Sequence, residues 1–197
     1  KSLANGDITF ICTRRGDLGA TNHKAFGLFF LISMQNAVLR RPGNEKSRVP
    51  NFLYIDEFPD FICKATEPIF TMYRKYKVGT VISAQNLEQL NVSGAKQTIL
   101  SNCASKIFTG GGVISELEWW SSEFGQKREW SMSNSIDFDK GKYDAKHGNV
   151  EWKFTPYFKP GKLQTLSQKE CAFKIRGSDC TGCSYGTGKR AGSILSR

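Results

Sequence analysis

The strongest constraint on the fold is a short apolar run that ends in two adjacent acids. Residues 52–55 are Phe, Leu, Tyr and Ile, and Asp56 and Glu57 follow directly. A run of strand-forming apolar residues indicates a strand buried on both faces, as in a parallel sheet covered by helices. In open α/β sheets, ligands bind beyond the carboxyl ends of the strands. The two acids are therefore predicted to lie at the ligand-binding edge of a sheet.

The residues around this run alternate between strand-like and helix-like patterns. Strands are predicted at 7–13, 51–58, 78–85, 106–111, 150–155 and 172–176. Helices are predicted at 24–40, 65–77, 87–100 and 116–124, with Ser115 as the N-cap of the last one. This order predicts an α/β fold with a mainly parallel sheet and helices on both faces. We divide the chain into the main part of the core (1–125), a polar loop with returning strands (126–176), and a flexible tail (177–197). Within the second part, the polar segment 131–149 is predicted to be a flexible loop or a loose hairpin.

Composition and charge narrow the class of protein further. Hydrophobic residues make up 39% and charged residues 23% of the 197-residue chain, which is typical of a globular domain and not of a disordered one. The longest apolar stretch, 26–34, is interrupted by Gly27 and Ser33, so no membrane-spanning segment is predicted. The net charge of +10 favours a polyanionic partner, either nucleic acid or an acidic membrane surface, over a charge kept for solubility alone.

The acid pair has the residue types that magnesium-dependent phosphate chemistry requires. Asp56 is predicted to hold Mg²⁺ through water, because magnesium keeps most of its hydration shell. Glu57 is predicted to polarise the water that attacks a terminal phosphate. The alternative is a strand end whose acids only face solvent.

Two further residues strengthen the phosphate interpretation by their order along the chain. Gln85 closes the next predicted strand and can contact the γ-phosphate of ATP from the same edge of the sheet. Arg74 lies on the predicted helix between the two strands, from which an exposed guanidinium can reach the nucleotide of a neighbouring subunit. The alternative for Arg74 is a solvated basic helix face shared with Lys75 and Lys77.

Three stretches of the chain resemble TraG/TraD-type coupling proteins of type IV secretion, which belong to the FtsK/HerA group of hexameric P-loop motors. These stretches are RRPGNEKSRVPNFLYIDEFPDF, YRKYKVGTVISAQNLEQL and ILSNCASKIFTGGG. The resemblance covers residues 6–125 and continues more weakly through FKPGKLQTLSQKECAFKIRG. It identifies Asp56 and Glu57 with the Walker B acids, Gln85 with the sensor glutamine, and Arg74 with the arginine that acts in the neighbouring subunit.

The resemblance implies a RecA-like ATPase core that uses ATP and Mg²⁺ and pumps DNA as a hexamer. It further implies single-stranded DNA bound to a relaxase, or proteins, as substrates, and other secretion components as partners. It also implies a position on the cytoplasmic side of the bacterial inner membrane. Membrane anchoring would come from segments outside this sequence. One alternative is the assembly ATPase of the same secretion machine. A second is a basic docking module for DNA or accessory proteins without ATPase activity of its own.

A Walker A loop, which cradles the phosphates of the nucleotide, is missing from the sequence. The tail GCSYGTGKR has Arg190 after Gly188-Lys189, and Cys183 where the first glycine of the motif would stand. We therefore expect the Walker A loop upstream of Lys1. We also expect the 197-residue chain alone to bind ATP poorly and to hydrolyse hardly any.

Other residues allow weaker hypotheses about DNA and metal binding. Candidate phosphate contacts lie at or near predicted loops: Arg14, Arg15, Arg40, Arg41 and Lys46. Tryptophans near Lys127 and Arg128 indicate either stacking on single-stranded DNA or packing: Trp119, Trp120 and Trp130. A zinc site is a further hypothesis, with these ligands: Cys171, Cys180, Cys183 and His147. Reduced thiols in a cytoplasmic protein are the alternative for the cysteines.

Overall fold

The computed structural model describes residues 2–92, 94–133, 149–176 and 181–184. The chain divides into two compact units, residues 1–104 and 105–197. The division predicted from the sequence, at residues 125 and 176, stays a prediction. None of the helices in the described ranges is long and apolar enough to cross a membrane.

The first unit contains a parallel pair of strands among helices and short 3₁₀ turns. Its helices are α1 (Ser2–Asn5), α2 (Arg15–Leu39), α3 (Pro68–Thr71) and α4 (Ala95–Asn102). Its strands are β1 (Asn51–Ile55) and β2 (Val78–Ile82). The 3₁₀ turns are Phe58–Phe61, Lys64–Thr66, Tyr73–Tyr76 and Glu88–Leu90.

The second unit combines antiparallel strands with two helices. Its strands are β3 (Lys106–Phe108), β4 (Gln126–Ser133), β5 (Asn149–Pro156), β6 (Glu170–Lys174) and β7 (Thr181–Ser184). Its helices are α5 (Ile114–Phe124) and α6 (Pro160–Gln164). The strands form a three-stranded sheet in the order β3-β6-β7 and a separate hairpin of β4 and β5.

Strands β1 and β2 are parallel, as the sequence predicts, and their register aligns Ile55 with Ile82. Both strands therefore end together, directly before Asp56 and Ser83. The prediction that β1 is buried on both faces is wrong for the described chain. Leu53 and Ile55 are buried, whereas Phe52 is 66% and Tyr54 is 72% exposed on the other face. Successive side chains of a strand point to opposite faces, so one face of this pair is covered and one is open.

The core of the first unit forms between helix α2 and the short turns that follow β1. Phe58, Tyr73 and Val38 are almost completely buried there. Gly27 allows α2 to approach closely, because a Cβ at this position would lie 2.2 Å from a ring atom of Phe61. The predicted helix at 24–40 is confirmed, and it lies in the part of α2 that follows a break at Gly19, where φ is 76°.

Two other predicted elements of the first unit are wrong or broken. Residues 7–13 form no strand, and Ile8 and Phe10 are exposed. Strand-forming residue types need a neighbouring strand edge to pair with, and the sequence cannot show whether one is present. The predicted helix at 65–77 is a series of short turns, because the Pro68 ring cannot continue a preceding helix. The predicted helix at 87–100 is likewise interrupted, and Gly94, with φ of 74°, precedes α4.

The second unit is built on the aromatic side of helix α5. The ring of Trp120 lies 5.0 Å from that of Phe108 and 5.4 Å from that of Phe124, measured between centroids. Ser121 Oγ donates a hydrogen bond to the carbonyl oxygen of Phe158 at 2.6 Å. Trp120 is therefore a packing residue. The helix begins at Ile114 after Val113 as its N-cap, so the prediction that Ser115 caps it is wrong.

The predicted extension of the parallel sheet into the second unit is not observed. Strand β3 pairs antiparallel with β6, and β4 pairs antiparallel with β5. Within the described residues, the parallel arrangement is limited to β1 and β2. Strand β4 was not predicted, because its residues 126–130 are exposed and the sequence QKREWSMS resembles a polar loop. Most of the predicted polar segment 131–149 and most of the predicted tail lie outside the described residues.

Candidate active site

A cluster of polar groups forms where β1 and β2 end. Ser83 Oγ donates a hydrogen bond to Asp56 Oδ1 at 2.5 Å. The backbone N–H of Glu57 donates to the same Oδ1 at 3.0 Å and to Ser83 Oγ at 3.1 Å. The main-chain ladder continues beyond both strands, since Ser83 N–H donates to the carbonyl of Ile55 at 3.1 Å. The polar groups are thus held on the ends of two paired strands.

This arrangement orients the Asp56 carboxylate and leaves part of it free. Both donors contact Oδ1, and none of the described residues donates to Oδ2. Asp56 is exposed, so Oδ2 can accept from a hydrated cation or from water. Carboxylate oxygen is the ligand type that Mg²⁺ prefers, and magnesium usually keeps several waters when it binds protein. The donor set at this edge therefore fits a hydrated magnesium ion.

The backbone of Glu57 adopts an unusual conformation. Its φ of 48° and ψ of 44° lie in the left-handed region, which side chains with a Cβ rarely adopt. Hydrogen bonds on both sides hold it there, because Phe58 N–H donates to the carbonyl of Ser83 at 3.0 Å. Strained backbone of this kind occurs often at functional sites. The side chain of Glu57 is exposed beside the Asp56–Ser83 pair.

The other two predicted catalytic residues lie at opposite ends of β2. Gln85 follows the carboxyl end of β2 by three residues, at the same edge as Asp56, and its backbone N–H donates to Gln89 Oε1 at 3.1 Å. Arg74 is exposed in the turn Tyr73–Tyr76, before the amino end of β2. The five residues of β2 span about 16 Å, so Arg74 and Asp56 are not brought together within one chain.

Ser83 is a site residue that the sequence analysis missed. The predicted strand ran through Gln85, which placed Ser83 inside a strand and not at its end. Strand β2 stops at Ile82, so Ser83 is the first residue after the apolar run VGTVI. A small hydroxyl residue directly after such a run is the feature that could have identified it.

A second group of charges surrounds Asp60, in the turn that follows Glu57. Lys24 Nζ lies 3.0 Å from Asp60 Oδ1, and His23 Nε2 and Arg15 Nη1 lie 3.5 and 3.9 Å from Oδ2. The hydrogen bond from Lys24 is the largest cause that lowers the pKa of Asp60, against a smaller opposing effect of burial. These contacts join α2 to the turn Phe58–Phe61. Asp60 therefore supports the position of the acid pair.

The five predicted phosphate-contacting residues have different surroundings. Arg41 is held by the main chain, because its guanidinium donates to the carbonyls of Tyr76 at 2.8 Å, Leu3 at 3.0 Å and Val49 at 2.8 Å. The remaining four are exposed: Arg14, which lies 3.4 Å from Asp17, Arg15, Arg40 and Lys46. The contacts of Arg41 favour a structural role for this residue.

The hypothesis of a zinc site is mostly outside the described residues. His147 and Cys180 are not described, and Cys171 faces Cys183 in the β6–β7 register. In the described ranges, no group of three or more potential metal-ligating side chains is found. Zinc binding stays a prediction.

The family profile described as the TraM recognition site of TraD and TraG matches residues 50–168, which is more than half of the chain. The chain belongs to the TraG/TraD family. The matched residues include β1, the polar edge and the β4–β5 hairpin. Among curated proteins none matches the sequence.

Solved structures of the bacterial conjugative coupling protein TrwB share the fold of this TraG/TraD chain. An unbound form of TrwB superposes with a TM-score of 0.66 at 18% identity, over 81% of this chain and 36% of TrwB. TrwB with the ATP analogue ADPNP gives 0.63 at 17% identity, over 81% and 36%. TrwB with ADP and Mg²⁺ gives 0.63 at 17% identity, over 84% and 36%. The likeness confirms an α/β fold, and the chain spans about a third of the TrwB length.

Proposed function

We propose that this TraG/TraD chain is the Walker B part of a RecA-like ATPase that couples DNA to a type IV secretion channel. The observation that carries the proposal is the pair Asp56–Ser83 at the carboxyl edge of two parallel strands, where the Glu57 backbone also donates to Ser83 and Gln85 follows two residues later. Ligands of α/β sheets bind at this edge. Support comes from family membership and from the shared fold with TrwB, which has been crystallised with ADPNP and with ADP and Mg²⁺.

Each polar residue at the edge has a proposed role in phosphate chemistry. Asp56 would hold the magnesium ion of ATP·Mg²⁺ through water, and the ion would neutralise the charge of the phosphates. Glu57 orients and polarises the attacking water as the general base. Gln85 contacts the γ-phosphate. Ser83 positions Asp56 through their hydrogen bond.

Arg74 is proposed to act on the nucleotide of a neighbouring subunit. It lies at the amino end of β2, about 16 Å along the strand from the Asp56 edge. A residue at that distance cannot serve its own chain's site, but an exposed guanidinium can serve a site across a subunit boundary. The proposal therefore requires a ring of subunits, and we propose a hexamer.

The open face of β1–β2 supports a motor domain completed by further segments. Phe52, Tyr54 and Val81 are exposed in this chain, although parallel sheets in proteins are covered on both faces. We propose that the segment with the Walker A loop covers this face in the whole motor. The 197-residue chain alone then lacks the phosphate cradle and binds ATP poorly.

The partners follow from charge and family. The net charge of +10 suits DNA, proposed here as single-stranded DNA carried with a relaxase. The family description names TraM, so we also propose a relaxosome protein as a partner, besides other secretion components. We place the motor on the cytoplasmic side of the inner membrane, anchored by segments outside this sequence.

The function is tested by ATP hydrolysis of the whole motor with and without DNA. Glu57→Gln removes the general base but keeps the shape of the side chain, so turnover should fall about a hundredfold while nucleotide binding persists. Glu45→Gln is the matched control, since Glu45 is an exposed glutamate in a loop of the same unit. Unchanged turnover in Glu57→Gln would contradict the proposal.

The family description also favours a second candidate, a docking module that recognises TraM without any part in hydrolysis. Measuring ATP hydrolysis by the Glu57→Gln variant of the whole motor also distinguishes the two candidates. A docking module predicts that Glu57→Gln leaves hydrolysis unchanged. The assembly ATPase of the same secretion machine predicts hydrolysis that DNA does not stimulate.

A further inference from the structure

The β4–β5 hairpin exposes three large aromatic side chains on one face. Trp130 is 61%, Trp152 is 50% and Phe154 is 63% exposed. Trp130 pairs with Trp152 across the hairpin, and Arg128 pairs with Phe154. Directly opposed residues and those two apart on one strand share a face, so these four side chains form one surface. We call this surface the aromatic face.

The aromatic rings and the guanidinium of this face are in contact with one another. The centroids of Trp130 and Trp152 lie 3.5 Å apart, with 34° between the ring planes. The Arg128 guanidinium carbon lies 5.4 Å from the Phe154 centroid and 6.0 Å from the Trp152 centroid, within the range of cation–π interactions. The face is therefore a preformed arrangement of rings beside a fixed positive charge.

The two faces of the hairpin differ in composition, because the opposite face has Lys127, Glu129 and Lys153 in place of aromatic rings. Arg128 is the one formal charge among the four side chains of the aromatic face. On the other face, Lys127 Nζ lies 2.6 Å from Glu129 Oε1, and Thr155 Oγ1 donates to Glu129 Oε2 at 2.8 Å. The carboxylate of Glu129 is thus neutralised on the opposite face. The aromatic face complements a ligand that has flat rings and a negative charge.

We propose that the aromatic face is a stacking site for the bases of single-stranded nucleic acid. Unpaired bases present their ring faces for stacking, whereas a duplex presents mainly its backbone and base edges. Arg128 would face the phosphates while the rings take the bases. The inference rests on the proposed function for its substrate class, DNA, but its residues are not those of the β1–β2 edge. An acidic segment of a partner protein is the competing occupant.

The test measures binding of a fluorescein-labelled 20-nucleotide oligothymidine to the 197-residue chain by fluorescence anisotropy. A salt concentration of about 200 mM weakens non-specific phosphate contacts. Trp130→Ala should weaken binding about tenfold, and Trp130→Phe, which keeps a stacking ring, should stay within about threefold of the original affinity. An unlabelled duplex of the same length should compete poorly.

Two neighbouring cations provide a matched pair of charge variants. Arg128→Ala and Lys127→Ala each remove one positive charge, from the aromatic face and from the opposite face respectively. Stacking on the aromatic face predicts a clearly larger loss of oligothymidine affinity for Arg128→Ala than for Lys127→Ala. This pair keeps the test valid if Trp130→Ala fails to fold, which circular dichroism would show.

Three results would overturn the inference. The first is unchanged affinity in the Trp130→Ala and Trp152→Ala variants. The second is an equal loss of oligothymidine affinity in Arg128→Ala and Lys127→Ala, which would indicate unspecific attraction by charge. The third is competition by polyglutamate as strong as that by oligothymidine, which would indicate an acidic protein segment. Any of these results would rule out the stacking site. The proposed function would still hold if ATP hydrolysis by the whole motor is stimulated by DNA and requires Glu57.

Discussion

The β1–β2 pair and the β4–β5 hairpin are both two-stranded, and they use their strands in opposite ways. In β1–β2 the strands are parallel, one face is buried through Leu53 and Ile55, and the polar groups collect at the strand ends. In β4–β5 the strands are antiparallel, and residues such as Lys127 and Trp130 are exposed on both faces. The first pair positions chemistry at an edge, whereas the second presents a surface.

The difference follows from strand direction. Parallel strands end at the same side of a sheet, so residues after β1 and β2 meet without any further support. Antiparallel strands place opposed side chains close together along their whole length, which favours ladders such as Trp130–Trp152. A site of few precise polar groups suits the first geometry, and an extended ligand suits the second.

The largest expected effect tests whether β1 has one covered and one open face. Leu53→Ala removes a buried side chain and should lower the free energy of unfolding by about 2–5 kcal/mol. Phe52→Ala, on the open face of the same strand, should change it by about 0.5 kcal/mol or less. Urea denaturation of both variants measures the difference. Equal decreases in the free energy of unfolding of the two variants would mean that both faces of β1 are packed.

Tyr73, in the turn that leads into β2, tests the covered side through its titration. It is 1% exposed, and burial raises the pKa of its hydroxyl to about 12. Between pH 10 and pH 12 the unfolded chain therefore loses this proton while the folded chain keeps it. Stability should fall in this window by about 2 kcal/mol.

The matched variant is Tyr73→Phe, which keeps the buried ring and removes the titrating group. Its stability should show a smaller decrease above pH 10, and at neutral pH it should be within about 1 kcal/mol of the original chain. Denaturation followed as a function of pH compares the two proteins. The same alkaline decrease in both would show that the Tyr73 hydroxyl is not buried.

A smaller effect is expected at the strand ends. Ser83→Ala removes the hydroxyl that donates to Asp56 and accepts from the backbone of Glu57. Because the site is exposed to water, stability should fall by about 1 kcal/mol. Hydrogen exchange of the Glu57 amide should become faster. Ser122→Ala, at an exposed position on α5, is the control. Unchanged exchange of the Glu57 amide in Ser83→Ala would contradict the proposed link between the two strand ends.

The sequence was sufficient for the parallel pair and for the edge that it forms. Residues 52–55 are apolar without interruption, so the strand follows from residue types alone. The predicted strands 51–58 and 78–85 ran past the observed ends at Ile55 and Ile82. Residues 7–13 have equally good strand-forming types but form no strand, because pairing depends on a neighbour elsewhere in the fold. Local preference predicts a strand only where tertiary structure supplies a partner.

The remaining differences have the same origin in contacts distant along the chain. A phosphate contact of Arg41 stays a prediction, but the sequence could not show its main-chain contacts, because the carbonyls it binds belong to residues up to 38 positions away. Strand β4 was missed because its residues 126–130 are all exposed, which leaves no alternation of burial to detect. The Asp56–Ser83 contact joins residues 27 positions apart, so the structure was needed to show that Ser83 donates to Asp56.

The central claim is that the β1–β2 edge holds the magnesium ion of a bound nucleotide. Its most direct test is the magnesium dependence of nucleotide affinity in the whole motor. Titration of ADP with and without Mg²⁺ compares the original protein with Asp56→Asn, which keeps the side-chain shape and removes the charge. The account predicts that Mg²⁺ tightens binding in the original protein about tenfold or more and has little effect in the variant, with magnesium-free affinity similar in both. The same magnesium enhancement in both proteins would contradict it.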